Sequence, residues 1–314
     1  IPTMLNFLHL VLSPPERSVL YAGSYAPVLV SLSIAVAIFA SYASLQVSHH
    51  VSTTSAATAR RMWIAVGGLC LGIGIWAMHF VGMLAFSLPC STSYDAALTL
   101  LSTIPAILAS TLAIKIISRR ELSPARLATG GLLIGAGIGA MHYSGMAAMR
   151  LNGLIRYDIK LFSLSILVAI TLATLALWIK FRLSRVGTSL CPRGQTGATI
   201  ASAAVMGLAV SGMHYTAMAA AYFVRDGDAT PVISGIEPTF LAAIVLAATG
   251  LIIVVTIVAT YVGAPRLLSL GRSYKLIGLL IVGWGAIAGL SADYYYGRLA
   301  SNLYRQESQL ARQR

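Results

Sequence analysis

Long apolar runs separated by short charged segments dominate the chain. Seven of them, roughly 24–47, 62–86, 97–117, 126–149, 160–181, 196–223 and 238–262, qualify as spans, since about 20 apolar residues carry a helix across a bilayer. An eighth run, 276–296, is apolar but Gly-rich and ends in Asp293 and three tyrosines. It reads either as a further span or as a segment lying partly in the interface. The pattern predicts an all-α polytopic membrane helix bundle of seven or eight transmembrane helices. Residues 1–23 read as an amphipathic segment on the outer surface. Residues 263–314 read as a basic linker, the candidate eighth helix and the polar start of a connecting helix, "GRLASNLYRQESQLARQR". The opening "IPTMLNFLHLVL" has no basic n-region and no small-residue cleavage site, so it is not read as a signal peptide.

Composition agrees with the pattern. Charged residues make up 10% of the chain, against about 25% in soluble domains, and the mean hydropathy is +0.81. The net charge of +13 is read as topology and not as a nucleic-acid surface. Of 22 basic residues, 13 gather on alternate connections: Arg60, Arg61; Lys115, Arg119, Arg120, Arg126; Lys180, Arg182, Arg185, Arg193; Arg266, Arg272, Lys275. The positive-inside rule places these in the cytoplasm and the N-terminus outside. The other connections hold Asp95, Asp158, Asp226, Asp228 and Glu237. Cys70, Cys90 and Cys191 are odd in number and far apart, so they are read as packing residues.

Within this apolar background one phrase recurs: "GIWAMHFVGM" at 74–83, "GIGAMHYSGM" at 137–146 and "AVSGMHYTAM" at 209–218. It reads Met-His-aromatic-x-(Gly/Ala)-Met. Asp95 follows His79 by 16 residues, Asp158 follows His142 by 16, and Glu237 follows His214 by 23. The chain is thus read as three parallel copies of a two-helix unit plus one or two extra helices. Each motif sits late in an even-numbered helix. At 1.5 Å per residue, each histidine lies about 10 Å from the outer end of its helix. Three equivalent helices can then aim three imidazoles at one locus. Gly68, Gly72, Gly131, Gly135 and Gly139 are expected to give the close helix approach this needs.

Ionisable residues at membrane depth are costly and functional by default. Imidazole suits Cu, Zn, Fe and Ni, and thioether selects soft Cu(I). Helices two, four and six carry no interior carboxylate, which disfavours an oxygen-loving ion. The candidate ligands are His79, His142 and His214, then Met83, Met146 and Met218 four residues on, which share the histidine face. Met78, Met141 and Met213 sit about 100° round the helix. The reading is copper held by three histidines with methionine assistance and an open position for O₂, CO or NO. Zinc and a b-type haem are the alternatives. Asp95, Asp158 and Glu237 precede odd-numbered helices. They are read as N-caps or as residues orienting the ligand histidines.

The motifs and the "YD" sequences together resemble the MHYT-domain family of bacterial integral membrane sensors, over residues 24–262. The three tetrapeptides are "MHFV" at 78–81, "MHYS" at 141–144 and "MHYT" at 213–216. Phe80 speaks against an essential hydroxyl at the first position. The resemblance implies a non-enzymatic sensory input in the bacterial cytoplasmic membrane that binds copper and responds to a diatomic gas or to redox state. It also implies an output module, here absent from the chain, with a homodimer as a plausible assembly. The competing readings are an intramembrane metalloenzyme (zinc hydrolase or copper oxidase) and a copper-transport protein. The first wants a general base near the histidines, and the second wants ligands at more than one depth.

Overall fold

The computed structural model describes residues 9–53, 56–118, 123–187, 192–225 and 236–262; the run 276–296 lies outside the described residues. Helices follow the apolar runs: α1 (Pro27–Thr53), α2 (Ala57–Ala85), α3 (Ala96–Leu101), α4 (Thr103–Ile117), α5 (Pro124–Ala148), α6 (Ile159–Gly187), α7 (Pro192–Ala219) and α8 (Pro238–Val262). α3 and α4 run as one span through Ser102, which keeps helical angles. Among the described residues, five stretches are long and apolar enough to cross a membrane: Pro27–Ser48, Ala57–Ala85, Ala96–Ile116, Ile159–Ile179 and Thr199–Ala219. α5 matches them in length, its hydropathy diluted by six glycines. The chain is therefore a polytopic membrane helix bundle.

The helix starts are locally encoded. Ser123 caps α5, its hydroxyl accepting from the Arg126 amide at 3.3 Å, with Pro124 at the first helical position. Proline there loses no hydrogen bond. Asp95 caps α3 by accepting from Leu98 N–H at 3.0 Å. Asp158 accepts from Lys160 N–H at 2.8 Å and Leu161 N–H at 3.0 Å as α6 begins.

Six helices close into a ring in the order α1, α2, α4, α5, α6, α7, with α7 returning to α1. The motif helices α2, α5 and α7 meet at its centre, and α8 packs outside on α2 and α1. One contact repeats three times around the ring. A side chain at Gly72 would strike the backbone of Ile107, one at Gly135 that of Ile170, and one at Gly207 that of Ile38. Each of these glycines stands seven residues before a motif histidine. Gly68 and Gly131 add the same close approach to Thr111 and Thr174. These glycines give the close helix approach expected of them, and the partner in each case is the neighbouring helix of the ring: α4 for α2, α6 for α5 and α1 for α7. The third seat is filled by α1, the first helix in the chain.

Short strands cover one end of the ring. They are β1 (His9–Val11), β2 (Ser24–Tyr25), β3 (Phe86–Ser87), β4 (Thr92–Tyr94), β5 (Met149–Leu151), β6 (Gly153–Asp158) and β7 (Ala221–Arg225). β1 runs parallel to β6, which pairs antiparallel with β7; β2 pairs with β3 and β4 with β5. Tyr94 bridges to Ile236. The segments after the three motifs are thereby laced to one another. The described part of the N-terminal segment joins them through His9–Val11 and through a bridge from Leu20 to Val224.

Arg150 ties β5 to the α3 cap through an ion pair with Asp95 at 2.7 Å. That contact and the Leu98 amide hold the Asp95 carboxyl below its ordinary value of 3.8. The Leu161 and Lys160 amides, with Tyr222, do the same for Asp158 against its burial. Both folded values are depressed, so the stabilisation is complete above the unfolded value and lost as pH falls through the folded one. The strand-covered end is expected to loosen below about pH 4. Thermal melts across pH 3–7 check this, and Arg150→Ala is expected to shrink the acid-side fall in Tm.

Candidate metal centre

Each motif histidine reaches the ring centre from a helix that its upstream glycine presses onto a neighbour. His79, His142 and His214 are fully buried. Their rings form a near-equilateral triangle with centroids 4.9, 5.0 and 5.2 Å apart and planes 75–86° to one another. The Nδ1 atoms turn inward. His79 and His214 approach at 3.0 Å and His214 and His142 at 3.3 Å, and one ring nitrogen from each of the three histidines lies within 4.8 Å of the others. Nitrogens bound at 2.0–2.1 Å to one ion stand about 3.3–3.6 Å apart, so the spacing suits a shared metal.

Hydrogen bonding alone leaves this cluster unsatisfied. A neutral imidazole has one N–H and one lone pair. The Nδ1 of His214 meets two neighbours but brings only one of these to share. All three Nε2 atoms are buried with no partner among the described residues. Buried polar atoms are nearly always paired. Three convergent lone pairs on one ion would remove the conflict at Nδ1. The donor set fits: nitrogen with thioether nearby, and no carboxylate in the triangle.

Small residues make room for the rings. The Nε2 of His214 lies over Gly82 and that of His79 over Gly145. Both glycines stand three residues after a motif histidine, and Ala217 holds the same place in α7. Their role was not read from the sequence, although the Gly/Ala position belongs to the repeated phrase. A side chain at either glycine would occupy the imidazole's place.

Met78, Met141, Met213, Met83, Met146 and Met218 are all buried in the same core. Two can be placed further. Met213 borders an apolar cavity on the basic side of the triangle. Met218 borders a pocket of about 320 Å³ on the strand side, walled by Tyr25, Phe86 and Tyr215. The acidic residues keep a distance. Asp95 and Asp158 direct their oxygens to amides, Arg150 and Tyr222, and Glu237 is exposed ahead of α8. Cys70 is buried and Cys90 half-buried, both as free thiols.

The aromatic position of the motif stacks edge-on against its histidine, at 4.9 Å for Phe80 and 4.8 Å for Tyr143 and Tyr215. Tyr143 donates to Ser165 at 2.6 Å and Tyr215 to Ser33 at 2.7 Å. Each serine in turn donates to a carbonyl of its own helix. Phe80 has no such bond, and Ser102, seven residues after Asp95 as Ser165 is after Asp158, donates to the Thr99 carbonyl. The hydroxyl thus fastens helices and does not reach the triangle. Tyr143→Phe and Tyr215→Phe are each expected to cost about 1 kcal/mol, read as a lower Tm, with metal content unchanged.

This geometry, three Met-His helices of a closed ring sharing one buried imidazole cluster, is that of a repeat-built membrane domain. The family model described as the bacterial signalling protein N-terminal repeat, MHYT, matches residues 72–130, 135–191 and 207–271. The chain belongs to this family. It is 44% identical over 238 residues to the bifunctional diguanylate cyclase/cyclic di-GMP phosphodiesterase MucR of Pseudomonas aeruginosa, covering 76% of this chain and 34% of MucR. Identity is 39% over 212 residues to the cyclic di-GMP phosphodiesterase NbdA of the same organism, 66% of this chain and 26% of NbdA. It is 37% over 203 residues to the signalling protein YkoW of Bacillus subtilis, 65% of this chain and 25% of YkoW. The chain spans about a third or less of the length of these relatives. No solved structure matches it.

The family repeats begin at Gly72, Gly135 and Gly207, the three seat glycines. Their third copy includes α8, yet α8 packs on α1 and α2. The helix that follows α7 in sequence is not the one that seats it in space.

Proposed function

We propose that this chain is the sensory input of a bacterial inner-membrane signalling protein, with its N-terminus outside, and that His79, His142 and His214 hold copper. The inward convergence of the Nδ1 atoms of three fully buried imidazoles, whose Nε2 atoms have no partner among the described residues, carries this reading. Copper would supply an open coordination position for O₂, CO or NO, or a redox change that reports metal or oxidant status. The protein's part is positional. The seat glycines fix three helices, the small residues at Gly82 and Gly145 admit the rings, and the strands cover the site. Met83, Met146 and Met218 are the thioethers on the histidine faces. Met218 borders the strand-side pocket, a path for the ion from outside. A shift of the triangle moves α2, α5 and α7 against their seats, which gives the signal a mechanical form. The output is of the kind the relatives' names describe, cyclic-di-GMP turnover.

The test is metal analysis of the detergent-purified protein beside the triple variant His79→Ala, His142→Ala, His214→Ala, followed by titration with CO and NO. Copper in the wild type, none in the folded variant, and a spectral response to gas would uphold the reading. Zinc would move it to a hydrolase, a Soret band to haem. A wild type that cannot be loaded with copper would sink it.

A further inference from the structure

Directly beneath the imidazole triangle, on the basic side, lies a cavity of about 40 Å³. Its position is set by the repeat. Ile75, Ile138 and Val210, four residues before the three histidines, all line it, as do the residues four further back on each helix. Four residues of helix rise about 6 Å, so the cavity begins one turn from the rings. α4 and α6 complete the wall, largely with alanines such as Ala113 and Ala173, and their small size leaves the space open.

The lining is apolar except for Ser110. A buried water needs two to four polar partners and about 10–15 Å³. There is room here for a water but only one hydroxyl to hold it, so the cavity stays dry. Dry apolar cavities of suitable size take up xenon and similar nonpolar guests. The space suits a diatomic, not a drug-sized molecule, whose pockets start at about 300 Å³. It also lies inside a helix ring that is itself surrounded by lipid, the phase in which apolar gases concentrate.

We infer that this cavity is a binding site for one small apolar gas molecule, received from the bilayer and held one helix turn below the histidines. Gas would then reach the triangle from the membrane interior past Met213, and ions from the strand side past Met218. That the guest is also the signal rests on the sensory reading above; that the cavity takes an apolar gas does not.

Xenon is the probe. The wild-type chain in lipid nanodiscs, under xenon pressure, is expected to give a saturable bound-xenon NMR signal absent from empty nanodiscs. Ala113→Leu on α4 and Ala173→Leu on α6 fill the cavity from two different helices and are each expected to lose that signal. Leu108→Ile, on the exposed face of α4, is expected to keep it. No saturable xenon in the wild type would overturn the inference, whatever the variants do, and so would an unchanged signal in a folded Leu variant. Copper content measured on the same samples separates the two readings. Saturable xenon in a protein that cannot hold copper would leave the cavity standing and remove the sensor. A copper-loaded, gas-responsive protein without bound xenon would do the reverse.

Discussion

Gly135→Leu is expected to prevent the helix ring from closing. A Cβ at this position meets Ile170 Cα at 2.6 Å and Ile170 N at 2.7 Å. The obstacle is backbone, so no rotamer change relieves it, and α5 and α6 must separate along their length. Overpacking a core costs about 1–3 kcal/mol when side chains can yield, and more when they cannot. Most small domains have only about 5–15 kcal/mol to lose. The expected result is a protein that aggregates in detergent or melts far below the wild type. Gly72→Leu and Gly207→Leu meet Ile107 and Ile38 in the same way and are expected to match it. Gly197→Leu is the control. It has nothing within 4 Å of its Cβ, and a helix former replaces glycine there. Thermal melts and size-exclusion profiles of the four variants check the prediction. Equal Tm for Gly135→Leu and Gly197→Leu would refute it.

Gly145→Val is expected to abolish metal retention while every histidine remains in place. The His79 imidazole occupies the space a valine would need, and the ring can leave only by turning out of the triangle. Gly82→Val acts likewise on His214. Two ligands then remain where three converged, and metal bound per chain should fall to the level of His79→Ala. The helices should persist, since the clash is with a side chain and not with backbone. Ala217→Gly gives the contrast: it removes a methyl, keeps the triangle, and lowers stability by about 1 kcal/mol. Metal content beside circular dichroism distinguishes the cases. Full metal content in Gly145→Val would show that the rings are not packed as described.

Much of the site was legible because it repeats. One histidine in an apolar helix says little, but three at the same helical depth imply a common locus, and the structure places them in one triangle. The roles of Asp95 and Asp158 as helix caps followed from their positions before helix starts, and their amide contacts agree. The partners of the glycines were not legible. Spacing of four shows that a helix face is smooth, but not which helix lies against it. The strands were missed because each has six residues or fewer and sits in a loop, where pairing depends on segments distant in sequence. The closure of the ring was hidden for a related reason. The family repeat groups α8 with α7, while packing gives that place to α1, and nothing local in Ile38 or Ser33 announces it.

That closure sets an order of events during synthesis. α1 enters the membrane first, and its seat on α7 is made only when residues up to Ala219 have followed. At about 5–20 residues per second, the roughly 190 intervening residues take about 10–40 s. Through that interval Ser33 has no Tyr215 and the first two histidines have no third. A chain stopped before Pro192 would hold an open bundle with an incomplete set of imidazoles. On the copper reading proposed above, metal capture would mark the moment when the first helix and the sixth ring member have met, and a bound ion would certify a finished ring.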